Sequence, residues 1–173
     1  MFPALTLVIG GAASGKSAWA ENLVNSSGMP KTYLATSQAH DGEMTDKITR
    51  HKARRDASWA LIEAPLDLAP PLSQLQKGHI CLLDCATLYL SNHLLAKNDL
   101  IRAQSALLAA IATCAANLVI VSNEVGQGIV PDNALARHFR EAQGRLNIDL
   151  AARADLVVQI TVGLPQVLKG RMP

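Results

Sequence analysis

Short apolar runs alternate along this chain with longer segments whose apolar residues recur at helical spacing. Leu5-Thr6-Leu7-Val8-Ile9 is such a run, rich in β-formers and stopped by Gly10-Gly11, so it predicts a buried strand. A helix follows from Lys16 to about Val24. Thr32–Thr36 is a second strand candidate. Asp41–Arg55 has helical spacing, an acidic first turn and a basic last turn, with Met44, Ile48 and His51 on one face. Pro65, Pro70 and Pro71 among leucines make Ala64–Lys77 a loop followed by a short helix. His79–Leu83 reads as a third strand ending in Asp84, and Thr87–Ala96 and Ile101–Ala116 as helices packed on the sheet. Asn117–Val121 is the fourth strand. It leads through Ser122-Asn123-Glu124 to a glycine-punctuated loop, Gly126-Gln127-Gly128-Ile129-Val130-Pro131. A long amphipathic helix from about Asn133 to Arg153 and a last strand, Asp155–Thr161, complete the pattern. Alternation of strand and helix over the whole length predicts an open, mostly parallel α/β sheet with helices on both faces, in one domain spanning residues 1–173.

Composition agrees with buried strands. A chain of 173 residues can bury a proper core, and 49% hydrophobic against 17% charged residues suits strands covered on both faces. The formal charge of +2 is too small a field to demand nucleic acid or an acidic membrane, so any basic function is local. Cys81, Cys85 and Cys114 form no CxxC pair and have no His at metal-ligand spacing; they are expected as reduced core residues. The apolar N-terminus lacks the Lys/Arg of a signal peptide, and the longest Ala/Leu stretch, Ala106–Ala116, falls short of the roughly 20 apolar residues of a membrane span. A soluble, cytoplasmic protein is expected.

The chemistry is concentrated in four places. Gly10-Gly11-Ala12-Ala13-Ser14-Gly15-Lys16-Ser17 fits G-x-x-x-x-G-K-[ST] without a mismatch, between a predicted strand and a predicted helix. Its small residues let backbone N–H groups converge on phosphate oxygens, and the helix points its positive end at the same place. Lys16 then reaches the β- and γ-phosphates of ATP or GTP, and Ser17 is the expected Mg²⁺ ligand. Asp84, ending an apolar strand, stands where a second Mg²⁺-holding acid belongs, although an Asp there also serves as a helix cap. Arg50-His51-Lys52-Ala53-Arg54-Arg55 surrounds one imidazole with four cations. Such a run is commonly a solvated helix end. Alternatively, the cations keep His51 neutral and nucleophilic while masking the charge of an approaching phosphate. Asn123-Glu124-Val125-Gly126 lies on the carboxyl edge where open α/β sheets bind ligands. Glu124 there is either a metal or proton acceptor or a carboxylate merely hydrated or bonded to backbone.

Together with Tyr33-Leu34-Ala35-Thr36-Ser37, Asp41-Gly42-Glu43-Met44, Ile48-Thr49-Arg50-His51-Lys52 and Asn123 through Pro131, the phosphate loop resembles the bifunctional adenosylcobinamide kinase/adenosylcobinamide-phosphate guanylyltransferase family, in order over almost the whole chain. The resemblance implies a P-loop NTPase-like, RecA-like fold. It implies an enzyme that phosphorylates the aminopropanol hydroxyl of adenosylcobinamide and then transfers GMP from GTP through a guanylylated histidine. His51 falls at the guanylyl-accepting position, and Lys16 is its catalytic partner in the phosphate loop. Gly10, Gly11, Ala12, Ala13, Ser14, Gly15, Lys16 and Ser17 fall at the nucleotide phosphates, with Ala35, Thr36, Ser37, Lys52, Ala53, Arg54, Arg55, Glu63 and Asp84 at or near further nucleotide contacts. Mg²⁺ with GTP or ATP, a corrinoid substrate and a homotrimer are likewise implied. The chain departs from the family in Asp56, where Pro is common, and in Asn147-Ile148, where Asn-Gln is common. A P-loop kinase of another small molecule would need neither His51 nor its cations. A GTP-dependent regulatory protein would need a guanine-reading Asn-Lys-x-Asp motif, which the chain lacks.

Overall fold

Leu5, Leu7 and Val8 are almost wholly buried, yet Leu5 and Leu7 face one apolar cluster and Val8 the other. That division runs through every central strand, because successive side chains on a strand point to opposite faces. In the computed structural model, residues 2–38 and 57–173 are described. They form strands β1 (Leu5–Gly10), β2 (Lys31–Ala35), β3 (Trp59–Glu63), β4 (Ile80–Asp84), β5 (Asn117–Asn123), β6 (Leu156–Thr161) and β7 (Leu164–Lys169). The helices among them are α1 (Lys16–Ser26), α2 (Ala69–Ser73), α3 (Ala86–Leu95), α4 (Leu100–Thr113) and α5 (Ala134–Arg153). The predicted helix over Asp41–Arg55 lies outside the described residues.

The strands make one sheet in the order β3-β2-β4-β5-β1-β6-β7, parallel except for the antiparallel β6–β7 hairpin. Ala20, Leu23 and Val24 of α1 cover the face carrying Val8, Tyr33, Leu82 and Val121. Leu72 of α2, Leu90 of α3, Leu107 of α4 and Leu146 of α5 cover the face carrying Leu7, Leu34, Leu83 and Ile120. Helices therefore lie on both faces, as the sequence pattern predicts.

Two strands depart from the sequence reading. β3, between the helix expected at Asp41–Arg55 and the proline-rich loop, occupies one sheet edge, and with only half-buried Trp59 and Ile62 its apolar signal is weak. Asp155–Thr161 is not the last strand: β7 follows it across a tight turn at Val162-Gly163 and is exposed along its whole length. Pro165 in β7 is tolerated because an edge strand needs only one row of ladder bonds.

Candidate functional site

The parallel strands end together, so their last residues line one edge. Gly10 of β1 is in register with Asn123 of β5. Asp84 of β4 pairs with Val121 on one side and with Ala35 of β2 on the other, and Ala35 pairs with Glu63 of β3. The sequence-predicted residues Gly10, Ala35, Glu63 and Asp84 thus share the carboxyl edge, with the tip of β5 between the phosphate loop and Asp84.

Gly10–Gly15 joins β1 to α1. Gly10 must be glycine, since a Cβ there would lie 2.6 Å from both the Ile160 carbonyl oxygen and Ser14 Oγ. Gly15 takes φ +90° and Ala13 φ +55°, left-handed conformations that turn successive N–H groups toward one concavity. Gly15 has no side chain with which to cap α1, so the helix's first N–H groups and its positive end face the loop. Lys16 is only 9% exposed, and its ammonium donates to the Gly11 carbonyl at 3.0 Å, folded across the loop. Ser17 is half-buried in the first turn of α1. The β6–β7 turn braces the loop from behind: Gly163 N–H donates to the Ser14 carbonyl at 2.8 Å.

Asp84 is half-buried, and its Oδ2 accepts the Tyr33 hydroxyl at 2.9 Å. Thr36 is fully buried and knits the turn that follows Asp84. Its N–H donates to the Asp84 carbonyl at 3.2 Å, and its hydroxyl both donates to the Cys85 carbonyl and accepts the Cys85 N–H at 2.8 Å. Asn92 donates from its amide to the carbonyls of Thr36 and Pro65. Ser37 is half-buried beyond this turn, and Glu63 is exposed at the end of β3. His51, Lys52, Ala53, Arg54 and Arg55 lie outside the described residues.

Glu124, at the β5 tip, is bonded to backbone. Its carboxylate accepts the N–H groups of Gly126 at 2.6 Å and Gln127 at 3.2 Å, closing a turn of its own loop, while its N–H donates to the Gly10 carbonyl at 3.0 Å. Arg140 of α5 donates to the carbonyls of Gly126 and Gly128, and Arg137 to those of Pro131 and Asp132. Behind this loop sits a polar group from three elements, comprising buried Thr87, Ser122 and Gln143 and half-buried Asn147. Sequence reasoning gave none of these four a part in the site, nor Tyr33, although Tyr33 and Asn147 fall in stretches compared with the family. Each sits at a core-facing position of its strand or helix, and a polar side chain among core positions is the signal that could have found them.

Cys81 and Cys85 are buried and Cys114 half-buried, all as free thiols, and burial pushes Cys81 well above the ordinary thiol range and raises Cys114. No helix among the described residues is long and apolar enough to cross a membrane.

Comparison with known proteins bears on this edge as a whole. A likeness at 12% identity and TM-score 0.57 to an ATPase from the type III secretion system of pathogenic bacteria covers 94% of this chain and 56% of that one, and shows that the two share this fold. The bifunctional adenosylcobalamin biosynthesis protein CobP of Pseudomonas aeruginosa is 42% identical over 167 residues, covering 95% of this chain and 96% of that protein. CobU proteins of Salmonella typhimurium and Escherichia coli, described in the same words, are 40% and 37% identical, each over 95% of this chain and 99% of theirs. Residues 6–168 match the family described as cobinamide kinase / cobinamide phosphate guanyltransferase. With the phosphate loop, Asp84 and the β5 tip all inside that span, the chain belongs to this family of bifunctional corrinoid kinases and guanyltransferases.

Proposed function

We propose that this chain, as one catalytic domain over residues 1–173, carries out two reactions at the carboxyl edge. In the first, the aminopropanol hydroxyl of adenosylcobinamide attacks the γ-phosphorus of ATP or GTP, the bond to the β-phosphate oxygen breaks, and the nucleoside diphosphate leaves. In the second, a ring nitrogen of His51 attacks the α-phosphorus of GTP and pyrophosphate leaves. A phosphate oxygen of adenosylcobinamide phosphate then displaces His51, giving adenosyl-GDP-cobinamide. The observation that carries this reading is the complete phosphate loop facing Asp84 across the β5 tip, in a chain 42% identical over almost its whole length to a bifunctional adenosylcobalamin biosynthesis protein.

On this reading Gly10 to Ser17 hold the triphosphate through backbone N–H groups. Lys16 swings from the Gly11 carbonyl to the β- and γ-phosphates, where it stabilises charge as the phosphoryl group transfers. Ala35, Thr36, Ser37, Lys52, Ala53, Arg54, Arg55, Glu63 and Asp84 surround the rest of the nucleotide. A hydroxyl and a carboxylate, Ser17 and Asp84, are the hard oxygen donors that suit Mg²⁺. Such an ion keeps much of its shell from substrate phosphates and water. Bound there, Mg²⁺ would neutralise charge on the phosphates. His51 qualifies as nucleophile because Arg50 and Lys52 flank it and Arg54 and Arg55 stand at i+3 and i+4, masking the charge of the phosphate it attacks. The protein works as a homotrimer in the cytoplasm.

The test is to incubate the pure protein with α-labelled or γ-labelled GTP, without acceptor. The wild-type protein is expected to hold α-label in a bond labile to acid and stable to base, as a phosphoramidate is. His51→Ala should lose that label and keep much of the kinase activity, since a hydroxyl acceptor needs no protein nucleophile. Lys16→Ala should lose both, by roughly 100- to 1,000-fold. Label retained by His51→Ala would overturn the assignment, and His138, between Arg137 and Phe139, would be examined next.

A further inference from the structure

Asn123, the last residue of β5, has both its backbone polar groups held by side chains. Its N–H donates to Thr87 Oγ1 at 2.7 Å, and its carbonyl accepts Asn147 Nδ2 at 3.0 Å. The two ends are joined. Ser122 Oγ lies 3.5 Å from Thr87 Oγ1 and donates to Asn147 Oδ1 at 2.6 Å. Since Ser122 gives its proton to Asn147, it is the acceptor from Thr87. The hydrogen bonds therefore run one way around a closed ring, from the Asn123 N–H through Thr87, Ser122 and Asn147 back to the Asn123 carbonyl. Gln143, fully buried on α5, ties the ring together by donating to both Ser122 Oγ and Asn147 Oδ1 at 2.9 Å.

This ring joins the parts of the site that must keep their spacing. Thr87 is in the first turn of α3, three residues after Asp84. Asn123 is in register with Gly10, and the next N–H, that of Glu124, holds the Gly10 carbonyl. Gln143 and Asn147 are one turn apart on α5, whose Arg137 and Arg140 grip the loop after Glu124. The ring also carries a stability cost, for Gln143 Oε1 and Asn123 Oδ1 are buried without a hydrogen-bond partner among the described residues. Apolar side chains of equal volume would fill the space without orphaned carbonyls. What they would not do is fix a strand tip to within tenths of an ångström, which directional, mutually polarised hydrogen bonds do.

We propose that Thr87, Ser122, Gln143 and Asn147 are positioning residues, a hydrogen-bonded ring that sets the β5 tip and through it the phosphate loop relative to Asp84. The inference rests on the nucleotide-site reading above and names the residues that hold that site in register. Misplacing a reacting group by a fraction of an ångström affects the chemical step more than ground-state binding, so the ring should act on kcat rather than on nucleotide KM.

The experiment compares wild-type protein with Gln143→Met, Thr87→Val and Thr87→Ser, following adenosylcobinamide phosphorylation by ATP alongside thermal unfolding. Gln143→Met is expected to unfold at the wild-type temperature or above, with nucleotide KM within a factor of about 2 and kcat reduced roughly 10- to 100-fold. Thr87→Ser, which keeps the hydroxyl, should retain kcat, and Thr87→Val should lose it. Wild-type kcat in Gln143→Met would overturn the proposal. So would losses that follow the unfolding temperature, with Ser no better than Val at position 87. If the wild-type protein itself failed to phosphorylate the corrinoid, the functional reading would fall instead. The same variants compared in acceptor-free ATP hydrolysis would still decide the role of the ring.

Discussion

Two tyrosines of this fold are given different tasks by their surroundings. Tyr33 points its hydroxyl at the edge of the sheet and donates to Asp84. Tyr89 of α3 is 2% exposed, donates to the Ala103 carbonyl at 2.8 Å and stands edge-on to His93 with ring centroids 4.6 Å apart. Burial, with the nearby Asp67 charge as a lesser cause, pushes the Tyr89 phenol from its ordinary 10 up to about 12. A folded-state pKa above the unfolded one favours the protonated fold, so this contribution is complete below pH 10 and fades as pH rises through about 12. Replacing Tyr89 by Phe should cost about 1 kcal/mol at neutral pH, the worth of one hydrogen bond. Above pH 10 the gap in unfolding free energy between the two proteins should narrow, as denaturant titrations at pH 8 and pH 11 would read. A gap that stayed constant between those values would show that the phenol does not titrate with folding.

At the scale of elements, the β6–β7 hairpin matters more than its exposure suggests. Its turn presses on the phosphate loop, where a Cβ on Gly15 would meet Gly163 Cα at 3.2 Å. Val162 in that turn is 83% exposed and has φ +47°, a conformation that a β-branched residue adopts only under strain. The turn wants Asn or Gly there. Val162→Asn should therefore stabilise the protein by about 1 kcal/mol and raise Tm by roughly 2–4 °C in a chain of this size. An unchanged or lower Tm in a thermal melt would mean that the hairpin carries no such strain. None of this was legible from the sequence, because an exposed strand with Pro165 near its start shows neither alternation nor an apolar run.

At the scale of the whole molecule, β7 is an edge of the seven-stranded sheet that the described residues form, and it carries Leu164, Val167 and Leu168 in exposed positions, followed by Met172. An unprotected apolar edge invites association. It suits the proposed homotrimer, in which subunit contacts would cover part of that surface. Light scattering at micromolar concentration should then give three times the 18.4 kDa chain mass. A monomeric mass would remove the trimer from the proposal.

The sequence by itself determined the central sheet and the phosphate loop. Leu5–Ile9 and Ile80–Leu83 are apolar runs between turn signals, and Gly10 to Ser17 can be read from residue type and spacing because glycine's missing Cβ and lysine's charge are local properties. It left Glu124 undecided between chemistry and backbone bonding, met Ser122 and Asn147 only as members of longer stretches without giving them a role, and did not single out Thr87 or Gln143. Their hydrogen-bond partners were decided by the tertiary structure. Thr87 lies 35 residues from Ser122, and Asn147 lies 24 from Asn123, so only the strand order that sets β5 between β1 and β4, with α3 and α5 packed over it, brings them within hydrogen-bonding distance. A hydrogen bond depends on where two groups stand in space, and residue type and local spacing do not carry that for groups far apart in the chain.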